Sequence, residues 1–418
     1  MVRYFIQIFA ERRNFTLSLN RGMQVKGSIS LVFLWLSFTG FSQSAGVTPD
    51  AQISVITCGP GQELYASFGH SAFRVQDPDL GIDWVYNYGT FDFEAPNFYL
   101  NFARGRLLYS LTGSKFSDFL YTYQLENRWV REQILHLGLV EKNELFRFLE
   151  NNRKPDNRDY KYDYLYDNCS TKIPDVLKDV LGEQLTFKQD HIEEGATFRA
   201  LIQQNLRTNS WSSFGIDLAL GAVIDKKASV LEHMFLPIYV LEQLNNATLG
   251  NRPLVERERT ILENRVNKPG HYFTASPLFW LLLLLIFTAI ITYIDFKNSV
   301  RSRWLDFFLF LLTGVIGLII FFLWFLTDHS ATAANLNILW AFPFNILASW
   351  FVVRKTTQLP PWFSRYVRAL TGLLLLVALL WLLGVQRFSP LLILLLSTLS
   401  IRYVFLYRHI GKIQQTAP

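Results

Sequence analysis

The sequence offers one pair of residues suited to nucleophilic catalysis, His70 and Cys169. His70 stands at the predicted start of a β-strand, and Cys169 stands just before a predicted helix at 173–181, where Asp167 or Asn168 can serve as the cap. A thiol in the first turn of a helix has its thiolate form favoured. A neighbouring imidazole strengthens that effect and can carry protons. The pattern therefore predicts a catalytic Cys–His pair.

Two structural alternatives stay open for these residues. The chain has only two cysteines, Cys58 and Cys169, and in an oxidising compartment they can form one disulfide. The thiol can also be a buried group beside a capped helix, with His70 as a structural histidine. Neither cysteine lies in a CxxC or Cys/His cluster, so we expect no zinc site, and the chemistry considered below needs no cofactor.

Further candidates surround the pair. Asn87, on the next predicted strand, is our first choice for orienting the imidazole, and Asp92 is the second. Asp328 and His329, at the outer end of an apolar segment, are candidates for contact with a substrate amine or a lipid headgroup, although polar residues at a helix end are commonly interfacial.

Lipid recognition suggests two more sets of residues. Arg74, which we assign to substrate binding, can hold a lipid phosphate, as can Arg104 and Arg106; structural or surface charge is the alternative. A run of aromatic residues can line an acyl groove, rest on a membrane or fill the core: Phe91, Phe93, Phe98, Tyr99 and Phe102.

The elements that position these groups divide the chain into three parts. Residues 1–45 have the basic, apolar and small-residue order of a signal peptide or an N-terminal anchor. Residues 46–270 predict an exported α+β domain, with strands at 53–57, 71–75 and 84–88 followed by helices at 128–139, 143–151 and 173–181. Residues 256–267 read as a charged helical stalk.

Residues 271–418 predict an all-α transmembrane bundle of about five helices. The apolar segments lie at 277–294, 305–326, 338–353, 369–385 and 391–406, and the third is short and contains Pro343 and Asn345, which suggests a broken or tilted helix. Lys and Arg concentrate in alternate loops instead of on one folded module. That distribution places the C-terminus in the cytoplasm of a multi-pass inner-membrane protein and argues against nucleic-acid binding.

The order His then Cys resembles the circularly permuted papain-like group, which includes lecithin retinol acyltransferase and NlpC-type relatives. Longer strings resemble Lnb, a Bacteroidota membrane family of lipoprotein N-acyltransferases. They are TCGPG at 57–61, FGHSA at 68–72, YNYGTFDF at 86–93, NFY at 97–99, the stretch 160–171 ending in DNCST, GIDL at 215–218, FLP at 235–237 and 337–345.

The Lnb resemblance implies transfer of an acyl chain from a membrane phospholipid to the N-terminal amine of a diacylglyceryl-lipoprotein cysteine. The papain-like resemblance makes Cys169 the nucleophile and His70 the base. Two other functions remain open: a membrane-anchored cysteine hydrolase of cell-wall peptides, and a non-enzymatic membrane scaffold with a disulfide.

Overall fold

The computed structural model of the chain describes residues 46–188, 195–264, 272–354 and 359–416. The predicted signal peptide or anchor at 1–45 lies outside these residues, and the domain boundaries at 45/46 and 270/271 remain predictions. The described chain is an α+β domain rich in β-sheet followed by a helical region, as the sequence predicts.

The strands of the N-terminal domain form two antiparallel sheets. The larger sheet has the order β10-β5-β1-β2-β3-β4-β6, and the smaller one has the order β7-β8-β9. The strands are β1 (Gln52–Cys58), β2 (His70–Asp77), β3 (Ile82–Thr90), β4 (Leu108–Lys115), β5 (Val130–Leu135), β6 (Asp159–Lys161), β7 (Leu185–Thr186), β8 (Thr248–Leu249), β9 (Arg252–Pro253) and β10 (Val255–Leu262).

Helices cover the sheet and then build the C-terminal bundle. The helices of the N-terminal domain are α1 (Phe98–Ala103), α2 (Phe116–Leu125), α3 (Leu139–Asn152), α4 (Lys172–Leu181), α5 (Phe198–Gln204), α6 (Trp211–Ala219) and α7 (Pro237–Asn246). The bundle contains α8 (Pro277–Asn298), α9 (Arg303–Phe325), α10 (Asn345–Val352), α11 (Pro361–Leu382) and α12 (Leu392–Thr416).

The principal core lies between one face of the large sheet and the helices α3, α4 and α7. Phe73 and Tyr86, which pair across β2 and β3, pack there with Leu145 of α3 and Leu177 of α4. All four side chains are almost fully buried. Because α4 is fixed to the sheet in this way, the turn before it is held at the start of β2, where His70 lies.

Two predicted helices are strands in the structure. The segment predicted at 128–139 contains β5, which lies between β1 and β10 with Val130, Gln133 and Ile134 buried. Half of the residues of β5 are polar or charged, so the pattern fits either period, and the place of the strand inside the sheet decides the outcome. The predicted stalk contains β10, whose alternating charges suit an exposed edge strand; residues 265–267 lie outside the described ranges.

Four helices of the bundle, α8, α9, α11 and α12, are long and apolar enough to cross a membrane. The third predicted segment is broken: a 3-10 turn at Leu336–Leu339 precedes the eight-residue α10. Asn345 begins α10 and donates to Thr313 of α9 at 2.9 Å, while the Tyr366 hydroxyl donates to Asn345. Side chains of neighbouring helices thus supply hydrogen bonds at the break, as an interrupted segment in a membrane requires.

The broken segment also joins the bundle to the N-terminal domain. Asn335 donates to the carbonyls of Leu218 and Ala219 at the end of α6. The Gly221 amide donates to the Ala331 carbonyl at 2.9 Å. A Cβ atom on Gly221 would lie 1.7 Å from the Ala333 carbonyl oxygen. The two backbones therefore touch directly, which only glycine permits at this position.

Candidate active site

Cys169 lies in the tight turn that begins α4. The Lys172 amide donates to the Asn168 carbonyl at 3.1 Å, the i to i+4 spacing of a first helical turn. The Asn168 side-chain oxygen accepts from the amides of Ser170 and Thr171 at 2.7 and 3.0 Å. Of Asp167 and Asn168, it is Asn168 whose side chain closes the turn that leads into α4, and the thiol lies in that turn, three residues before the first helical residue, Lys172.

His70 is the first residue of β2, opposite Cys58 at the end of β1. The pairing of β2 with β3 ends at Phe73 and Tyr86. Beyond that point the His70 ring reaches across to Asn87, with 2.5 Å between Nε2 and the Asn87 Oδ1. An amide oxygen only accepts hydrogen bonds, so the proton of the neutral ring resides on Nε2 and Nδ1 is free to accept one.

The thiol and the imidazole each shift the pKa of the other toward its charged form. Burial opposes the thiolate, but the positive charge and hydrogen bond of His70, with a bond from the Ser71 amide, lower the pKa of Cys169 below its usual value. Burial likewise opposes the imidazolium, yet the thiolate and the bond to Asn87 raise the pKa of His70. Both directions favour a thiolate–imidazolium pair.

The second cysteine has a different environment. Both cysteines are free thiols, and Cys58 is buried at the end of β1 in the large sheet. Burial raises the pKa of Cys58 to about 12. The disulfide considered from the sequence is not formed in this structure, and the surroundings shift the pKa values of the two thiols in opposite directions.

Sequence reasoning missed two groups beside the thiol. Gly89 has a φ of +86°, and a Cβ there would lie 3.4 Å from Cys169 Cβ and 3.9 Å from the Tyr160 hydroxyl. That hydroxyl is buried and, apart from the Gly89 amide, has no hydrogen-bond partner in the part of the chain that the structure describes. Both residues lie within strings that resemble Lnb, and that resemblance was the sequence signal that could have identified them. Without it, a tyrosine on a short strand is interpreted as a core residue.

The whole chain was compared with protein families, with curated proteins and with solved structures. A model described as the Lnb N-terminal periplasmic domain matches residues 44–204. A model described as the Lnb transmembrane domain matches residues 269–414. The chain belongs to the Lnb family. No curated protein and no solved structure matches it.

Family membership places the N-terminal domain of this Lnb chain in the periplasm and the helical region in a membrane. The end of the bundle at Asp328, which pairs with Arg106 and Lys161 of the matched periplasmic residues, therefore faces the periplasm. Cys169, His70 and Asn87 all belong to the periplasmic domain. The papain-like relationship rests on the order of His70 and Cys169 in the sequence, and it stays a prediction.

Asp328 and His329 join the two parts of the Lnb chain. Asp328 forms ion pairs with Arg106 at 3.2 Å and Lys161 at 3.0 Å, and these cations hold its pKa below the usual value. The His329 ring lies over Gly105. These contacts are interfacial, and the predicted contact with a substrate stays a prediction.

Arg74 lies four residues beyond His70 on β2 and is buried. Its guanidinium binds Asp83 at 2.7 Å and Glu132 at 3.0 Å and stacks over the Phe116 ring. A substrate phosphate would have to displace these carboxylates to reach the guanidinium. The role of Arg74 in substrate binding stays a prediction. Asp92 is exposed and accepts from the amide of Glu94, whereas Asn87 holds the imidazole.

Asn87 is expected to act by orienting the ring. In Asn87→Ala the imidazole loses the partner that fixes its tautomer, and we expect the alkylation rate of Cys169 at pH 7 to fall roughly tenfold to hundredfold. Rates with iodoacetamide, followed by mass spectrometry of the Cys169 peptide, measure this. Asn87→Gln keeps an acceptor, so its alkylation rate should fall less. An equal loss of rate in both variants would argue against an orienting role for Asn87.

Proposed function

We propose that the chain is a lipoprotein N-acyltransferase that works through a thioester on Cys169. The observation that carries the proposal is the Cys169–His70–Asn87 arrangement in the periplasmic domain of a membrane-spanning chain. An acyl group on a thioester is activated without a nucleotide or a metal. Both expected substrates are lipid-anchored, which gives a reason for joining the site to a membrane bundle.

The first half-reaction acylates the enzyme. His70 Nδ1 takes the proton of Cys169, and the thiolate attacks an ester carbonyl of a phospholipid. The tetrahedral intermediate collapses with cleavage of the ester C–O bond. The proton on His70 passes to the departing oxygen, so a lysophospholipid leaves and the acyl group remains on sulfur as a thioester.

The second half-reaction transfers the acyl group to the lipoprotein. The neutral α-amine of the diacylglyceryl-cysteine attacks the thioester carbonyl, and His70 accepts the proton that the amine loses. The C–S bond then breaks, giving an amide and restoring the thiolate–imidazolium pair. The same pair serves both halves because each half moves one proton between the substrates and Nδ1.

Tyr160 is placed to assist both halves. Its hydroxyl and the side chain of Cys169 both border Gly89, and burial with the nearby thiolate raises the pKa of Tyr160, which keeps the hydroxyl protonated. If it donates to the developing oxyanion, Tyr160→Phe lowers acylation about 100-fold. Single-turnover thioester formation measures this, with an unchanged rate of Cys169 alkylation as the control. A matching fall in alkylation would assign Tyr160 to thiol positioning instead.

We propose an inner-membrane orientation with the C-terminus in the cytoplasm. The basic residues of the alternate loops support it, since positively charged loops face the cytoplasm. Arg301 and Arg303 lie where α9 begins, at the end of the bundle that is far from the periplasmic domain. They donate to the carbonyls of Val352 and Val353. Protease access to a tag after Pro418 in sealed inverted vesicles, but not in intact spheroplasts, is the expected result.

The direct test uses the purified full-length protein in nanodiscs with a phospholipid carrying a labelled acyl chain and a diacylglyceryl lipopeptide. We expect labelled amide on the lipopeptide and one lysophospholipid for each amide formed. Labelled free fatty acid without amide would contradict transfer and support hydrolysis. Cleavage of added cell-wall peptides by the same preparation, with no lipid product, would support the peptide hydrolase.

A further inference from the structure

A band of exposed apolar side chains lies between β3 and β4, and we call it the aromatic surface. Most of its members are large aromatic residues, yet they are exposed to solvent. The exposed fraction is 80% for Tyr99 and 67% for Phe93. They are Phe91, Phe93, Tyr99, Leu100, Phe102 and Leu108. Single exposed apolar residues are common on protein surfaces and need no explanation. A contiguous patch of them marks a site of interaction.

The rings continue inward as a connected ladder. Tyr162 stacks on Tyr109 at 4.2 Å between centroids, and Tyr109 meets Phe91 edge to face at 5.2 Å. Phe91 stacks on Phe98 at 5.8 Å, and Phe98 stacks on Phe102 at 6.1 Å. Aromatic ladders of this spacing form a continuous apolar path along which a hydrocarbon chain can lie.

The inner end of the ladder lies at the thiol. Tyr162 is half-buried, and its surroundings raise its pKa, first by burial of the hydroxyl and then by the charge of Cys169. Phe91 follows Gly89 by two residues, and Gly89 lies against Cys169. The ladder therefore runs from the sulfur to the aromatic surface.

The outer end of the ladder lies at the membrane boundary. The Asp328 amide donates to the Arg104 carbonyl at 2.8 Å, one residue after α1. Asp328 follows the end of α9 by three residues, and α9 has 23 residues. At 1.5 Å per residue that helix is about 34 Å long, close to the hydrocarbon thickness of a bilayer, so its end lies near the headgroups.

We propose that the aromatic surface enters the periplasmic leaflet and that the ring ladder guides the acyl chain of the phospholipid donor to Cys169. The occupant is lipid because the surface is continuous with the outer end of a membrane-spanning helix. Arg104 is exposed there and forms no ion pair with any residue that the structure describes, so its charge can meet a lipid phosphate. The guiding role rests on the proposed function, whereas insertion does not.

Insertion can be measured without activity. A nitroxide is attached at Tyr99→Cys in full-length Cys169→Ala protein, reconstituted in vesicles of phosphatidylethanolamine and phosphatidylglycerol. Cys58 stays because it is buried. We expect collisions with oxygen to exceed collisions with a water-soluble nickel complex. A nitroxide at Phe93→Cys serves as a second site and should give the same result.

Tyr121→Cys is the matched control. Tyr121 is 60% exposed on α2, which begins at the far end of β4, about 23 Å along the strand from Leu108. The label there should meet the nickel complex more often than oxygen. A label at 99 and at 93 that behaves like the one at 121 would overturn the proposal.

The guiding role needs an activity measurement. Tyr99→Asp with Phe102→Asp should slow thioester formation on Cys169 about tenfold or more with a long-chain ester phospholipid held in ether-lipid nanodiscs, since buried apolar area is lost. A monomeric short-chain phospholipid added from water should react within about twofold of wild type. Equal rates with the bilayer donor would overturn guidance. A wild type that forms no thioester with either donor would refute the proposed function and leave insertion to the spin labels.

Discussion

Replacing Cys169 with alanine is expected to abolish N-acylation of lipoproteins. The variant lacks the atom that carries the acyl group, and removal of a nucleophile from a catalytic pair costs roughly 10⁴-fold or more. Mass spectrometry of N-terminal lipoprotein peptides, from cells lacking the protein and complemented with the variant, measures the outcome. The amide-linked chain should return with wild type and stay absent with Cys169→Ala.

Cys58→Ala is the matched control, since it removes the other thiol and leaves Cys169. Its side chain packs with Ile56 and Val85 in a small core, on the face of the sheet away from the principal core. We expect acylation within a few-fold of wild type, reduced only by the cavity that the smaller residue leaves. Normal acylation with Cys169→Ala would place the chemistry elsewhere, and the region of Asp328 and His329 would become the next candidate.

The second large effect is expected from His70→Ala, which should lower acyl transfer about 10³-fold. The variant should also change how the thiol titrates. In the wild type the imidazolium lowers the pKa of Cys169, so alkylation persists to a lower pH than for an ordinary cysteine. Burial is the largest single influence on the pKa of Cys169 and raises it, so without the opposing effect of His70 the alkylation profile should move to a higher pH.

Alkylation rates between pH 5 and 10, followed peptide by peptide, test this directly. Cys58 is an internal control because its pKa of about 12 and its burial should leave it unmodified while the protein is folded. His136→Ala controls for removal of a histidine outside the site, and its profile should match the wild type. A profile unchanged in His70→Ala would show that the imidazole does not activate the thiol.

The centre of the site was predictable because its signals are local. A strand start at His70 and a capped helix start after Cys169 follow from nearby residues, and α4 packs on β2 to bring them together. Asn87 follows from its place on the adjacent strand. The existence of β1, β2, β3, α3 and α4 follows from periodicity within each segment.

The remaining features depend on distant partners. The polar and charged residues of β5 and β10 suit a helix as well as a strand until each strand has its neighbour in the sheet. The Tyr160 hydroxyl matters only because Gly89 and Cys169 reach it from other parts of the chain. The pairing of Asp328 with Lys161 joins residues 167 positions apart, a separation over which no local pattern carries information.

The backbone contact at Gly221 limits how this protein can be taken apart. The amides of Gly221 and Ala222 bond to the carbonyls of Ala331 and Ala334, so a periplasmic fragment would expose hydrogen-bonding groups that water must then replace. β10 also enters the large sheet after α7, so a fragment ending near 204 would lack a sheet strand. The periplasmic half and the membrane half should therefore be inherited and expressed as one unit, and exchanging halves between relatives should require the loop at 331–335 to travel with the periplasmic domain.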